Sequence, residues 1–243
     1  MKSTLKKLVS ALLVVAMAAG MLAMAPASES EAASMSYDKK MTIYLWGKSG
    51  TSTHYAYGGI EIHNPSKSIK ASNVTSSHPS VVEVSGVDND KKYKVSYIDL
   101  YAKKTGTSKI TFKVGSKKYT TKVTVKGYTN PAKTVKVTGV NKGKNIAGKT
   151  KKRIAYEGLK LTKTRKKATL KVKAKKGWRL IRVEVADYTK YPKDLVYKTY
   201  AKGTSKQMTY SLGTLKKSHS YEVQLTFKNK KTGGELDTCY YIN

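Results

Sequence analysis

From residue 41 onward the chain alternates. Apolar and polar side chains succeed one another with a period of two, broken by short clusters of glycine, asparagine, proline and lysine. That is the period of a β-strand, whose side chains point by turns to opposite faces, and no long segment shows the 3.6-residue period of an amphipathic helix. The clearest unit is Ile110-Thr111-Phe112-Lys113-Val114, a Gly115-Ser116 turn, and Tyr119-Thr120-Thr121-Lys122-Val123-Thr124-Val125. It predicts a hairpin with one apolar face and, on the other, Lys109, Lys113, Lys118, Lys122 and Lys126. Further strands are expected at residues 41–45, 81–84, 97–102, 135–140, 178–185, 208–212, 221–227 and 236–242, with residues 47–53 as a turn or loop and 229–234 as a turn. A strand at 170–174 sends Lys171 and Lys173 outward. Strands this short and this closely spaced indicate β-sandwiches.

Ahead of the strands, Lys2, Lys6 and Lys7 precede an apolar run of 18 residues, 8–25, followed by Pro26 and small side chains. These three parts make a secretion signal, with cleavage expected after Ala27 or Ala32. An uncleaved anchor is the alternative, because 18 residues reach the lower limit for crossing a bilayer. Cys239 is the only cysteine, so an intrachain disulfide is excluded. An exported chain of this kind relies on its core rather than on covalent staples, and Cys239 reads as a small apolar residue.

The whole chain holds 48 Lys and Arg against 15 Asp and Glu, a formal net charge of +33. Such a field attracts polyanions. Only Arg153, Arg165, Arg179 and Arg182 are arginines, whereas readers of base edges lean on the planar fork of arginine, so sequence-specific nucleic-acid recognition is argued against. Lysines on outward strand faces also keep edges from pairing, but solubility alone does not require so lopsided a balance. The excess is uneven, +10 over residues 34–129 and +22 over 130–243.

Three blocks in the first half occur in a recognisable order. They are Ser77-His78-Pro79-Ser80-Val81-Val82-Glu83-Val84, then Ala102-Lys103-Lys104-Thr105-Gly106-Thr107-Ser108-Lys109-Ile110-Thr111, then Val123-Thr124-Val125. Residues 37–126 resemble the bacterial Ig-like domain of group 2, the invasin and intimin type. The resemblance implies a sandwich with an adhesive or spacer role and no catalysis. The stretch 87–101 departs from it, being longer than the short glycine turn usual there. Residues 133–243 resemble Ig-like or fibronectin-type modules in pattern only, through Gly177-Trp178 and 221–242. The expected organisation is therefore all-β, with two Ig-like β-sandwich domains in tandem after a signal peptide. The signal occupies 1–33, the sandwiches 34–128 and 133–243, and a linker 129–132 that contains Pro131.

Catalytic and metal motifs fail on inspection. Gly47-Lys48-Ser49 lacks the first glycine of a phosphate loop, which would stand at Thr42, and Lys231-Thr232-Gly233 reads as a hairpin turn. His54, His63, His78 and His219 are scattered, and Asp88 and Asp90 are followed at once by Lys91 and Lys92, so the pair reads as an exposed turn rather than a calcium loop. No cofactor or metal is assigned, and no enzyme is read. One aromatic cluster stands out. With Ile43 and Leu45 on one strand face, Tyr44 and Trp46 share the other, and Tyr55 and Tyr57 follow across a glycine-rich stretch. The leading expectation is a secreted or surface-held, non-catalytic, adhesin-like protein. Its expected partners are an anionic cell-wall polymer or acidic polysaccharide, met through Lys109, Lys113, Lys118, Lys122, Lys171 and Lys173, and beyond these a host or neighbouring surface protein. The alternative is a carbohydrate-binding module acting through Tyr44, Trp46, Tyr55 and Tyr57.

Overall fold

The structure, a computed structural model, describes residues 34–47, 56–190 and 196–243, apart from the side chains of 190 and 196–202. The expected signal, the 48–53 stretch, His54 and Tyr55 lie outside the described residues.

The alternating pattern becomes strands throughout. Residues 36–126 supply β1 (Ser36–Tyr37), β2 (Lys40–Tyr44), β3 (Ala56–His63), β4 (Val74–Ser76), β5 (Val82–Asp90), β6 (Val95–Ala102), β7 (Gly106–Val114) and β8 (Lys117–Lys126). They form one sheet in the order β1-β3-β6-β5 and a second in the order β2-β8-β7-β4. The remainder supplies β9 (Ala132–Val137), β10 (Ala155–Leu159), β11 (Arg165–Ala174), β12 (Trp178–Asp187), β13 (Val196–Thr204), β14 (Met208–Leu215), β15 (Tyr221–Asn229) and β16 (Glu235–Ile242). These form a three-stranded sheet, β14-β11-β9, and a five-stranded one, β10-β16-β15-β12-β13. The fold is an all-β sandwich architecture with no α-helix among the described residues. None of their helices is long and apolar enough to cross a membrane. Each half closes in the same way, by an early strand laid parallel on the last one: β2 on β8 and β10 on β16.

The inward residues are those the period selects. Ile60, Ile62, Ile98 and Leu100 on one sheet and Ile110, Phe112, Val123 and Val125 on the other are buried, as are Leu170, Val172, Val183, Leu225, Phe227 and Tyr240 in the second half. The pattern passes over β4, β10 and β13, places β9 three residues late at 135–140, and misleads in two further places. Tyr57, read as lying across a loop, stands in β3, whose Gly58-Gly59 pair hid the strand. A Cβ at Gly58 would sit 2.6 Å from Ile43 Cδ1, so glycine lets β2 pack close to β3. The stretch 87–101 is not an irregular insert but a long hairpin of β5 and β6, with a bulge between Val84 and Gly86. Asp88 and Asp90 therefore lie on a strand rather than in an exposed turn, and Asp90 accepts a hydrogen bond from Tyr93 N at 3.0 Å, which ties down the hairpin end.

Around residue 130 the chain is held firmly. Asn130 Nδ2 donates to Ala147 O at 2.7 Å, its Oδ1 accepts from Ala132 N at 2.9 Å, and Pro131 O accepts from Lys175 N at 2.8 Å. Trp46 O accepts from Ile154 N at 3.0 Å and Gly47 bridges Arg153, so the segment just after β2 is stitched to the second half by its backbone. The β15–β16 turn rests on β2 from the other direction. A Cβ at Gly234 would fall 2.7 Å from Thr42 O and 2.9 Å from Tyr44 Cε2, a distance only glycine tolerates.

Candidate functional site: a lysine and threonine face

Strand register decides which lysines meet. Paired residues share a face, so Lys40 on β2, Lys122 on β8 and Lys109 on β7 form one row across three strands. Lys113 and Lys118 form another, two rungs away. Between and beside these lie rows of hydroxyls, one of Thr75, Thr111 and Thr120 and one of Thr42, Thr124 and Thr107. The outer face of this sheet thus alternates lysine and threonine rows, at about 6.6 Å along the strands and about 4.8 Å across them. Lys109, Lys113, Lys118, Lys122 and Lys40 are all exposed. None of them takes part in an ion pair among the described residues.

The arrangement is costly to the fold. Like charges directly opposite on neighbouring strands destabilise by about 0.2–1 kcal/mol per pair, and Lys122 has a lysine on each side. Solubility calls for surface charge but not for like charge in register, and interspersed signs serve it better. Acidic residues are available nearby yet sit elsewhere. Of the six in residues 34–129, Glu61, Glu83, Asp88, Asp90 and Asp99 lie on the strands of the opposite sheet, β3, β5 and β6. The first sandwich therefore has one cationic, hydroxyl-rich face and one acidic, tyrosine-bearing face.

Lys171 and Lys173 are placed on a different sheet. Lys171 stands between Lys136 on β9 and Thr209 on β14, while Lys173, half-buried, stands opposite Thr134. A hydroxyl row, Thr138, Thr169 and Ser211, lies beside them, with Thr138 and Thr169 Oγ1 atoms 3.0 Å apart. The six expected lysines thus divide four and two. Lys40 and Lys136 complete the rows but escaped the sequence reading, because only register reveals them.

The aromatic cluster is corrected by the fold. Tyr44 is not presented to solvent: it is 5% exposed, belongs to the core of the second half, and lies 5.1 Å from Trp178 between ring centroids. Its hydroxyl is 3.2 Å from Thr232 Oγ1. The period of two did place Tyr44 opposite Ile43, but the face it reaches is covered by the β15–β16 turn. Trp178 is core, as its position after Gly177 implied. Trp46 stays half-buried, 5.5 Å from the Tyr57 ring, and Tyr57 is 59% exposed and continues to Tyr101 at 5.3 Å.

The histidines lie far apart in the chain and have separate neighbours. His63 is beside Glu61, His78 beside Ser77, and His219 Nδ1 is 2.5 Å from Asp187 Oδ2. Burial works to raise the Asp187 carboxyl, but hydrogen bonds from His219 and Thr189 outweigh it and hold the group below its ordinary value. Cys239 is buried, and burial with Glu222 and Asp237 nearby pushes its thiol well above the usual range. Such a thiol is a poor nucleophile.

No family model matches the chain, and the comparison with curated proteins found no match. Among solved structures, domains 5–6 of the S-layer protein SbsC share 14% identity, covering 85% of this chain and 96% of theirs, at a TM-score of 0.31. The Yersinia pseudotuberculosis adhesin InvE shares 13% identity, covering 86% of this chain and 58% of its own, at a TM-score of 0.24. A chimeric titin Z1Z2 tandem shares 10% identity, covering 86% of this chain and 98% of its own, at a TM-score of 0.24. At such scores none of these likenesses bears on what the chain does, and its chemistry has to be read from its own faces.

Proposed function

We propose that the protein is a non-catalytic binding protein of the cell surface or extracellular space, and that its lysine and threonine face lies along an anionic surface polymer. The three-part N-terminus supports export. The sequence blocks in 37–126 support a place among the group 2 bacterial Ig-like modules.

The observation that carries the reading is the row Lys40, Lys122 and Lys109, three like charges in register with no ion-pair partner among the described residues. A polyanion removes their mutual repulsion, so the cost they impose on the free fold becomes affinity in the complex. Threonine hydroxyls between the rows donate to phosphate or carboxylate oxygens. The acidic residues on the opposite sheet turn that side away, which gives the sandwich a preferred orientation on the polymer.

Many weak lysine contacts release counterions, and affinity then falls steeply with salt. Retention of the chain from residue 34 on immobilised long-chain polyphosphate and on polygalacturonate, measured across ionic strength, tests the reading. A steep linear fall of log affinity with log salt supports it, while retention indifferent to salt, or none at low salt, refutes it.

A further inference from the structure

The Trp46 and Tyr57 rings border an open groove of 710 Å³, which the second half closes with Arg182 of β12 and the end of the β15–β16 hairpin. Its lining is rich in carboxylates. Asp38, Glu61, Glu235 and Asp237 line it, against the cations Lys40, Arg182 and Lys228. A chain of formal net charge +33 has here a site without excess positive charge.

These groups are held in place. Lys228 Nζ and Glu235 Oε1 are 3.0 Å apart, and Arg182 Nε is 3.4 Å from Glu184 Oε2. Asp237 Oδ2 accepts from Gln224 Nε2 at 3.1 Å, while its Oδ1 is enclosed with no hydrogen-bond partner among the described residues.

The wall on β3 is bare for no structural reason. Gly59 has no positive φ, and a Cβ there would meet only Ile98 O, at 3.7 Å. Neither strain nor crowding demands glycine, yet it stands between Tyr57 and Glu61 on the same strand face. Glycine at such a place leaves room for something to approach the backbone closely.

We infer that this groove binds a neutral saccharide chain, at a site that meets the lysine and threonine face only along its edge at Lys40 and Thr42. Aromatic rings pack on the apolar face of a pyranose, and the fixed carboxylates and Arg182 accept from and donate to hydroxyls. The four carboxylates oppose an anionic polymer here. The two rings that line the groove, Trp46 and Tyr57, lie 5.5 Å apart with an interplanar angle of 62°, and Tyr57 is backed by the Tyr101 ring at 5.3 Å. Both halves contribute, so an occupied groove bridges them.

The test is a fluorescence titration of the chain from residue 34 with neutral oligosaccharides derived from glucan, mannan and chitin, at low and high ionic strength. Trp178 is only 6% exposed, so a change in emission reports Trp46. A saturable shift with at least one of them, unchanged by salt, is expected. It should weaken about tenfold in Tyr57→Ala, the loss of one ring stacked on the ligand, and also in Arg182→Ala. Tyr57 is exposed, so unchanged thermal melting shows that its variant still folds. The inference falls if none of these sugars shifts the emission, or if Tyr57→Ala binds like the wild type. A signal that disappears with salt also overturns it, because it belongs to the lysine faces.

Discussion

Replacing Tyr44 with alanine separates a core residue from a ligand-binding one. The ring is 5% exposed and packs in the second-half core, 5.1 Å from Trp178. Removing a buried aromatic ring costs about 3–5 kcal/mol in lost transfer free energy and residual cavity, of which the aromatic pair accounts for about 0.5–1.5 kcal/mol. Tyr44→Phe keeps the ring and loses only the 3.2 Å hydrogen bond to Thr232, about 0.5–1.5 kcal/mol. Guanidinium unfolding followed by far-UV circular dichroism and tryptophan emission measures both. The alanine variant should lower the transition reported by Trp178 by several times the change seen for phenylalanine. If Tyr44→Ala stays within about 1 kcal/mol of the wild type, the cavity reasoning fails. The ring would then be the exposed platform that the alternation first implied.

The hairpin turn seated on β2 makes Gly234→Ala an overpacking change of about 1–3 kcal/mol. Gly233→Ala has open space but φ +71° and should cost about 1 kcal/mol; equal losses in chemical denaturation would contradict the seating of the turn. Cys239, buried and with its thiol pushed up, should resist thiol reagents in the native protein and react on unfolding, which mass spectrometry of labelled samples reads directly. Asp187 is held below its ordinary value, so its stabilising contribution is present above the carboxylate range and is lost as pH falls through the folded value. The melting gap between wild type and Asp187→Asn should accordingly close below about pH 4, and a gap that widened in acid would contradict the pair.

The alternation made the β7–β8 hairpin, most core residues and the outward lysines legible, because burial on one face imprints a period of two on the chain. It hid β3, where glycine serves packing against Ile43 and an open wall rather than a turn. The period also placed Tyr44 on its face correctly but said nothing of what covers that face, since the β15–β16 turn lies nearly two hundred residues downstream. Register is the other silent quantity. Lys40 joins Lys122 only through a parallel pairing between β2 and β8, at opposite ends of the first sandwich's sequence, and nothing local in either strand announces it.

The central claim rests on that row. The most direct measurement compares salt dependence of polyphosphate binding for Lys40→Ala/Lys109→Ala/Lys122→Ala with that of Lys70→Ala/Lys91→Ala/Lys160→Ala, which removes the same charge from exposed sites elsewhere. Each lost phosphate contact lowers the slope by about 0.7 for a flexible polyanion, so the row variant should lose about two units. The control should keep the wild-type slope. Equal slopes for the two variants would mean that net charge alone, and not the face, holds the polymer.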